Sequence, residues 1–453
     1  MALGGVGDSV WGHMKFLIVQ LVTAFLIVNG FVGLFYAALK EQREMLWQSG
    51  GIWRSWFVFG MTVSVITVCY MLLQAVLAAF YRPRRGGASE LPRCTVVVPA
   101  YNEGRQVCDA ISSVLDSDYP ADKLEVIAVD DGSVDDTGLW IDRMAADNPG
   151  RVTALHQERN GGKKAALCRA IRASSRPVII TIDSDSIVEK SALRHLVLPF
   201  SDQRIGAVAG TIRVKNMQQG LLPRMLDVAF VFGCDFIRCA QSVIGSVLCT
   251  PGAISAYRRS VVLPLLDTWQ KQTFLGVPAA IGEDRALTGL ILRSGHQVVC
   301  QSNAVAFTEV PRHYCGLCKM LLRWTRGDVR ESINMLKYVF GRWSVCDWKW
   351  SLFQLNILSQ IVGVILPFVF IPFTFYTFYV FRDHVGLLLY YTFSVNGVWS
   401  LLPAAIYVRK RGGLGEALWA LLYGAFSVLA LSWICIYSVL TLRNSAWLTR
   451  NKA

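Results

Sequence analysis

The chain has 453 residues, of which 53% are hydrophobic and only 17% are charged. Soluble domains carry about 25% charged residues, so this composition excludes both a wholly soluble protein and a disordered one. The net charge of +13 is compatible with a membrane surface, an anionic substrate or a nucleic acid as the partner, and the apolar excess favours the membrane.

The N-terminal part contains two long apolar runs, 16–39 and 56–81. Each is longer than the ~20 residues that a helix needs to cross a bilayer. Arg82, Arg84 and Arg85 follow the second run, and clustered arginines favour the cytoplasmic side of a membrane. The sequence therefore predicts two transmembrane helices within 1–91, followed by a cytoplasmic segment.

Charged residues return in 92–345, where short β-branched runs alternate with helical patterns. Buried strands are predicted at 94–99, 124–129 and 177–182, and helices at 106–116 and 135–146. Alternating strands and helices are typical of a parallel sheet covered on both faces. The segment is of a size that suits one α/β domain.

Apolar runs reappear at 352–381, 385–408 and 417–442, which predicts about three transmembrane helices in 346–453. Pro367 and Pro372 indicate that the first of these is kinked or re-entrant. Five spans with a cytoplasmic domain after the second would place the C-terminus outside. The basic tail, with Arg443, Arg450 and Lys452, favours the inside, so the number of spans stays open.

Polar and acidic side chains follow the predicted strands directly. Tyr101 and Glu103 come after the first strand, and Asp130 and Asp131 come after the second. In open α/β sheets, ligands bind beyond the carboxyl ends of the strands. Asp-Gly and Asp-Ser pairs are also ordinary turn formers, so each motif alone is a weak signal.

Asp183 and Asp185 follow the third strand and are separated by one residue. Two carboxylates in this arrangement can hold a divalent cation, and oxygen ligands favour Mg²⁺ or Mn²⁺, which would bind substrate phosphates. Glu283 and Asp284 form a later pair, in which one carboxylate is a candidate general base or, alternatively, a helix cap. Lys163, beside glycines near a helix start, suits an anionic phosphate or a basic surface turn.

A basic amphipathic helix is predicted at 314–338. Such helices commonly rest on a membrane surface. Arg323 and Trp324 indicate a role in substrate binding as well, because arginine can neutralise a leaving diphosphate and tryptophan has a flat face for a sugar ring.

In this order, the motifs resemble those of the processive, membrane-embedded glycosyltransferases of family 2, which include the hyaluronan, chitin-oligosaccharide and cellulose synthases. The matching stretches are 98–103, 129–133, 160–163, 183–185, 282–285 and 323–324. Residues 272–278 and 281–288, together with the stretch that begins at Gly252, look most like hyaluronan synthases and then nodulation-type chitin-oligosaccharide synthases. One position departs from the pattern Q-x-x-R-W, because Met320 stands where the family has glutamine.

The resemblance implies a glycosyltransferase A-type domain that binds a nucleotide sugar, inserted in a bundle of transmembrane helices. On the donor side it implies that the uridine is held by Tyr101, Glu103, Asp130 and Asp131. Lys163 would contact the diphosphate, and Asp183 and Asp185 would form the phosphate and metal site, with Asp185 as the direct ligand of Mg²⁺ or Mn²⁺.

On the acceptor side, the resemblance implies that Asp284 is the base, with Glu283 as the next candidate. Arg323 would stabilise the departing UDP, and Trp324 would stack on the acceptor sugar. Gly252 and Arg285 belong to matching motifs and are predicted to bind substrate.

The implied activity is processive polymerisation of UDP-N-acetylglucosamine and UDP-glucuronate into a hyaluronan-like polysaccharide, extruded through the cell membrane by a protein whose catalytic domain faces the cytoplasm. Three alternatives stay open: a chitin-type synthase that uses UDP-N-acetylglucosamine alone, a non-processive transferase that acts on a lipid carrier, and a non-catalytic membrane scaffold. The partners are therefore a UDP-sugar, a growing polysaccharide and the bilayer. A nucleic acid is not expected, because the sequence contains no recognised reader motif.

Overall fold

The computed structural model describes residues 40, 43–86, 91–341 and 347–445. The predicted first span, 16–39, and the tail residues Arg450 and Lys452 lie outside the described residues. The chain divides into two compact units. The first comprises Met1–Tyr81 and Phe368–Ser432, and the second comprises Arg82–Pro367 and Trp433–Ala453.

Helices occur in the described residues of both units. Their bounds are α1 Gly51–Phe80, α2 Gln106–Leu115, α3 Thr137–Asp147, α4 Lys163–Ala173, α5 Ala192–Val197, α6 Leu221–Val231, α7 Arg238–Val243, α8 Arg259–Val262, α9 Leu266–Gln270, α10 Glu283–Arg293, α11 Tyr314–Gly341, α12 Trp348–Val380, α13 Val385–Arg411, α14 Ala417–Phe426 and α15 Ser432–Leu440. A π-helical turn at Phe232–Ile237 joins α6 to α7, and another at Ser427–Leu431 joins α14 to α15.

Four helices in the described part of the chain are long and apolar enough to cross a membrane. They are Gly51–Phe80, Trp348–Val380, Arg382–Arg411 and Leu414–Leu440. Helix α12 runs for 33 residues and continues through Pro367 and Pro372, so the expectation of a re-entrant segment is wrong. Proline is tolerated in apolar helices because neighbouring groups can satisfy the freed backbone carbonyls.

The second unit is built on an eight-stranded sheet with the strand order β3-β2-β1-β4-β7-β6-β10-β5. The strands are β1 Cys94–Ala100, β2 Leu124–Asp130, β3 Val152–His156, β4 Val178–Thr181, β5 Ser186–Val188, β6 Ile205–Val214, β7 Ser255–Arg258 and β10 Gln297–Thr308. A separate hairpin pairs β8 Thr273–Phe274 with β9 Val277–Pro278. The strands and helices predicted for the first half of this unit are confirmed to within two residues at each end.

The expectation of a wholly parallel sheet is wrong at two strands. Strand β7 runs antiparallel to both of its neighbours, β4 and β6, and β5 runs antiparallel to β10. Because β6 ends at the carboxyl edge and β7 begins there, the segment 215–254 leaves and re-enters the sheet at the same edge. This path delivers Gly252 to the edge where the parallel strands end.

Helices cover both faces of the sheet, as the sequence predicts. Val96 and Val98 of β1 point into one core with Ile111 of α2. Val97, between them, points into the opposite core with Ile171 of α4 and Ile291 of α10. The alternation follows from the two-residue period of a strand, which sends successive side chains to opposite faces. All seven residues of β1 are buried, because helices cover both faces of the strand. The strand therefore gives the polar loops at its carboxyl end a fixed position.

Candidate active site

The carboxyl edge of the sheet gathers three polar loops. Strands β2, β1 and β4 are parallel neighbours, so their ends at Asp130, Ala100 and Thr181 lie side by side. The loops that follow carry the predicted donor-side residues, which are Tyr101, Glu103, Asp130, Asp131, Asp183 and Asp185. Sequence position relative to the strands was therefore enough to place these six side chains at one edge.

Hydrogen bonds join the first two loops. The Asn102 backbone N–H donates to Ser133 Oγ over 3.0 Å, and Asn102 Oδ1 accepts the Val134 N–H over 2.9 Å. The Glu103 N–H donates to Thr137 Oγ1 over 2.9 Å. Asn102 adopts a positive φ of 53°, a conformation that asparagine tolerates better than most residues. The loops therefore hold each other in place before any ligand binds.

Asp131 is tied to the loop that precedes α4. Its Oδ1 accepts the Gly161 N–H over 2.9 Å and Gln157 Nε2 over 2.5 Å. The backbone of the loop before α4 lies close to Gly132, because a Cβ on Gly132 would be 2.5 Å from the carbonyl carbon of Arg159. With φ of 70° as well, this position requires glycine.

Asp130 faces a histidine that the sequence reasoning did not single out. Asp130 Oδ1 accepts the Ser133 N–H over 2.9 Å, and His156 Nδ1 lies 3.4 Å from Asp130 Oδ2. His156 Nε2 lies 2.8 Å from Asp142. Partial burial lowers the pKa of His156, but the carboxylates of Asp142 and Asp130 outweigh it, so that the pKa is raised overall.

Lys163 lies at the centre of the site, between two carboxylates. Its Nζ is 2.5 Å from Asp183 Oδ1 and 3.3 Å from Glu283 Oε1, with only 9% of the side chain exposed. Burial lowers the pKa of Lys163, yet the two carboxylates raise it overall, so the ammonium stays charged. A Cβ at Gly252 would lie 2.9 Å from Asp183 Oδ2 and on Lys163 Nζ, so any larger residue there would displace this ion pair.

Asp183 and Asp185 place two carboxyl groups beside the single ammonium of Lys163. Burial raises the pKa of Asp185, and the neighbouring charge of Asp183 raises it further. Among the described residues, no three or more histidine, cysteine, aspartate or glutamate side chains form a metal cluster. Two carboxyl groups fit Mg²⁺ or Mn²⁺, because such an ion commonly takes one or two carboxylates and completes its shell from phosphates and water.

Asp284 occupies the first turn of α10, where a carboxylate is stabilised by the helix dipole. Its Oδ1 accepts the Arg285 N–H over 2.8 Å, and the Cys249 thiol lies 3.7 Å from Oδ2. Burial, followed by the charge of Glu283, raises the pKa of Asp284 to about 6. Asp284 and Lys163 line the same pocket. A proton acceptor whose pKa is close to neutral pH therefore faces the central cluster.

Arg285 turns away from this pocket towards α11 and α12. Its guanidinium lies 2.9 Å from Asp328 Oδ1 and 3.1 Å from Ser332 Oγ, and it also donates to Gln360. The structure thus places Arg285 in a network that joins three helices.

A contact between two glycines brings α11 against the N-terminus of α10. A Cβ at Gly282 would lie 2.7 Å from the Cα of Gly327, and a Cβ at Gly327 would lie 2.8 Å from the Cα of Gly282. Gly282 also has φ of 77°, in the left-handed region. Because Gly327 is one turn beyond Arg323 and Trp324, this contact sets how closely these residues approach the turn that carries Asp284.

Residues Met320 and Trp324 are in different environments although they are one turn apart on α11. Trp324 is 39% exposed, and its ring meets Phe230 edge to face with centroids 6.0 Å apart. Met320 is 6% exposed and so packs in the interior of its unit. Arg323 is half-buried beside Trp324. The Trp324 ring is therefore accessible to a ligand. The side chain of Met320, which stands where the family has glutamine, is not.

Sequence reasoning missed Gly327, Cys249 and His156. Gly327 left one signal, a glycine within an amphipathic helix pattern, where glycine costs about 1 kcal/mol relative to alanine and so indicates a packing reason. Cys249 and His156 left no local signal, because their partners are 35 and 26 residues away in the chain.

Comparison with known proteins identifies the family of the chain. Residues 95–265 match the family described as Glycosyl transferase family 2. The chain is 29% identical over 413 residues to a hyaluronan synthase of Streptococcus pyogenes, covering 88% of this chain and 94% of the relative. It is 30% identical over 378 residues to an N-acetylglucosaminyltransferase of Azorhizobium caulinodans, covering 80% of this chain and 88% of the relative. It is 31% identical over 365 residues to one of Mesorhizobium japonicum, covering 80% and 82%.

A solved structure shares the fold. A mannosyltransferase from Pyrobaculum calidifontis in complex with GDP-Man and Mn²⁺ superimposes with a TM-score of 0.57 at 18% identity, covering 85% of this chain and 97% of that chain. The fold class predicted from the sequence, a glycosyltransferase A-type α/β domain combined with membrane helices, is confirmed. The four apolar helices and the likeness to the hyaluronan synthase indicate a membrane protein.

Proposed function

Because this chain belongs to glycosyl transferase family 2, and is therefore a glycosyltransferase, we propose that it is a processive, inverting enzyme that polymerises UDP-sugars into a hyaluronan-like polysaccharide. The proposal rests chiefly on one observation. The polar strand-end loops, the base candidate Asp284 and the helix with Trp324 belong to one compact unit, and a glycine contact joins the last two. A transferase needs these donor and acceptor elements together.

On the donor side, the loops after β1 and β2 would bind the nucleotide. Tyr101, Glu103, Asp130 and Asp131 would hold the uridine, and their loops are already fixed by hydrogen bonds to one another. A preformed site loses less conformational entropy when the ligand binds. Lys163 would contact the diphosphate from its place beside Asp183, where its charge is retained.

Asp183 and Asp185 would hold a divalent cation, Mg²⁺ or Mn²⁺, with Asp185 as the direct ligand. The cation would supply positive charge beside the diphosphate of the donor. Burial and the charge of Asp183 raise the pKa of Asp185, and a bound cation would offset both effects.

On the acceptor side, Asp284 would remove the proton of the attacking hydroxyl as its oxygen bonds to the anomeric carbon. The bond between that carbon and the diphosphate oxygen breaks, and UDP leaves with the electron pair. Attack from the face opposite to the leaving group inverts the configuration. Arg323 would stabilise the charge that develops on UDP, and Trp324 would stack on the acceptor sugar.

The membrane helices would allow the same protein to extrude its product. The arginines after the second apolar run favour a catalytic unit that faces the cytoplasm, where UDP-sugars are made, and the likeness to the hyaluronan synthase favours the cell membrane. The polymer would then leave the cytoplasm as it grows.

A chitin-type polymer of N-acetylglucosamine is the second candidate, favoured by the two rhizobial relatives named N-acetylglucosaminyltransferase. A non-processive transfer to a lipid carrier is the third, and it would not need the exposed Trp324 face.

The test is to incubate purified protein with UDP-N-acetylglucosamine, with UDP-glucuronate and with both, in the presence of Mn²⁺ or Mg²⁺. We expect a high-molecular-mass product only with both donors, degraded by hyaluronidase. A product from UDP-N-acetylglucosamine alone that chitinase degrades would establish the second candidate. Transfer of a single sugar to extracted lipid would establish the third.

A further inference from the structure

Two arginines of α11, Arg326 and Arg330, are buried and form no ion pair with a carboxylate in the described part of the chain. Arg326 and Arg330 are each 1% exposed, and they are one helical turn apart. Burial lowers the pKa of both guanidinium groups. Burying a cation is costly unless hydrogen bonds or opposite charges stabilise it. The groups that contact the two arginines therefore indicate their role.

The compensation comes from the segment that follows α15, which ends at Leu440. Arg326 Nε and Nη2 donate to Thr441 Oγ1 over 3.1 and 2.8 Å. Arg330 Nε donates to the Leu442 carbonyl over 2.9 Å, and its Nη2 donates to the Asn444 carbonyl over 3.0 Å. Backbone carbonyl and hydroxyl oxygens accept hydrogen bonds, and a guanidinium carries several N–H donors, so this segment can compensate the buried cations. We call this assembly of Arg326, Arg330 and residues 441–445 the clasp.

The clasp extends to the hairpin that precedes the base. Ser445 Oγ donates to the carbonyl of Pro278, the last residue of β9, over 2.6 Å. One residue further on, the Ala279 carbonyl accepts Lys164 Nζ over 2.8 Å. On the other side of the hairpin, Gln272 Nε2 donates to Glu331 Oε1 of α11 over 2.7 Å.

These bonds surround the glycine contact on which the geometry of the site depends. The hairpin ends just before Gly282, and Gly327 is adjacent to Arg326. A contact between two glycines has no side chains to interlock, so it does not by itself prevent the backbones from separating or sliding. The hydrogen bonds on either side supply the restraint that the contact lacks.

We propose that Arg326 and Arg330 are positioning residues for the transfer step, because the clasp holds α11 against the turn that carries Asp284 and so fixes the distance from the base to Trp324. This inference rests on the function proposed above. It predicts that loosening the clasp leaves the donor site intact but separates donor cleavage from transfer to the acceptor. Misplacement by about 1 Å costs a reaction roughly 10²-fold.

The test uses the full-length protein and two simultaneous measurements, UDP released and sugar incorporated into polymer. Arg330→Lys keeps the charge but removes the forked donation to the carbonyls. We expect incorporation to fall by about tenfold to 10²-fold, the ratio of UDP released to sugar incorporated to rise above one, and the donor KM to change by less than about twofold. Ser445→Ala removes the hydroxyl that donates to the Pro278 carbonyl and accepts from Arg330 Nη2 over 3.3 Å, but leaves the Arg330 bonds to the Leu442 and Asn444 carbonyls. It should shift the ratio in the same direction by a smaller factor.

Arg258→Lys is the matched control. Arg258 also donates to backbone carbonyls, those of Phe200, Ile205 and Asp202 at 2.9 to 3.0 Å, but at the opposite edge of the sheet. It should lower thermal stability without changing the ratio.

The outcomes separate the two proposals. An unchanged ratio in both clasp variants of a polymerising enzyme overturns the clasp alone. If Arg330→Lys does not fold, Ser445→Ala and Thr441→Val decide, and an unchanged ratio in these again overturns it. A wild type that makes no polymer from any UDP-sugar overturns the proposed function, and the clasp with it.

Discussion

The donor half and the acceptor half of the site are held together in different ways. The donor loops after β1 and β2 are joined by hydrogen bonds between neighbouring strand ends, such as the one from Asn102 to Ser133. The acceptor half depends on contacts between distant parts of the chain, such as Gly282 with Gly327 and Arg330 with Leu442. One half is fixed by sheet topology and the other by helix packing.

The difference shows which parts of an active site tolerate change. Strand-end loops keep their places as long as the sheet is intact, so substitutions there act on the ligand contacts themselves. Helix packing transmits small displacements, because close-packed elements have few voids to absorb them. We therefore expect donor-side substitutions to change binding, and acceptor-side substitutions to change transfer while leaving donor binding nearly unchanged.

The largest effect is expected on the donor side. Removing divalent cations with excess EDTA should reduce transfer to background, and Asp185→Asn should do nearly the same, because the carboxylate pair would no longer hold a cation beside the diphosphate. The measurement is UDP release with and without added Mn²⁺. Full turnover in EDTA with no added metal would exclude a cation from the donor half.

Substitution of the base should distinguish the acceptor half from the donor half most clearly. Asp284→Asn removes the proton acceptor but not a donor contact, so turnover should fall by roughly 10²-fold or more while donor affinity stays within a few-fold. Binding is measured by calorimetry with UDP-sugar, and turnover by UDP release.

Asp267→Asn is the control for that substitution, because Asp267 is an exposed carboxylate on α9 paired with Arg172, and its loss should leave turnover unchanged. An Asp284→Asn enzyme that polymerises at a near wild-type rate would move the role of base to Glu283.

The glycine contact should come next. Gly282→Ala would push the new methyl group onto the backbone of Gly327, at 2.7 Å from its Cα, and so displace α11. Transfer should fall by roughly tenfold to 10²-fold with donor KM nearly unchanged.

Gly295→Ala is matched to it, since Gly295 has a similar φ of 88° but open space around its Cβ position. It carries the backbone strain without the collision, so it should lower thermal stability and leave transfer intact. Equal losses of transfer in both variants would show that strain, and not the glycine contact, explains the effect.

The same contrast explains how much could be predicted from the sequence. The strands at 94–99 and 124–129, and the acidic residues that follow them, were visible because a strand and its terminal loop are contiguous in the chain. Asp284 was visible as part of a motif, but its contact with Cys249 was not. The burial of Arg330 was also hidden, because its carbonyl partners lie 112 residues away and a basic amphipathic pattern favours an exposed face.

The pH profile tests the acceptor half without any substitution. A base acts in its ionised form, so protonation below its pKa removes activity. Since the pKa of Asp284 is raised to about 6 in the free protein, kcat/KM should be constant at higher pH and fall by about tenfold per unit below 6. The measurement is kcat/KM for the donor at saturating metal. A profile that stays flat down to about pH 5 would show that the group acting on the acceptor is not this carboxyl.

The smallest effect on turnover, and the most specific effect on product, is expected at Trp324. Its ring is 39% exposed, so removing it loses little buried surface and should leave folding intact. A polymerase must keep its chain after each addition, and a flat aromatic face can hold a sugar without fixing its hydroxyl groups. Trp324→Ala should therefore shorten the polymer and increase donor hydrolysis, with donor KM changed by only a few-fold.

Phe230→Ala separates retention of the acceptor from packing at the same place. Phe230 meets the edge of the Trp324 ring, so its removal takes away support but leaves the exposed face present. We expect Phe230→Ala to shorten the product less than Trp324→Ala when both are sized by gel at matched protein levels. If Phe230→Ala shortens the chain as much, the ring pair acts through packing. If neither variant changes chain length, Trp324 does not retain the acceptor, and processivity depends on another part of the protein.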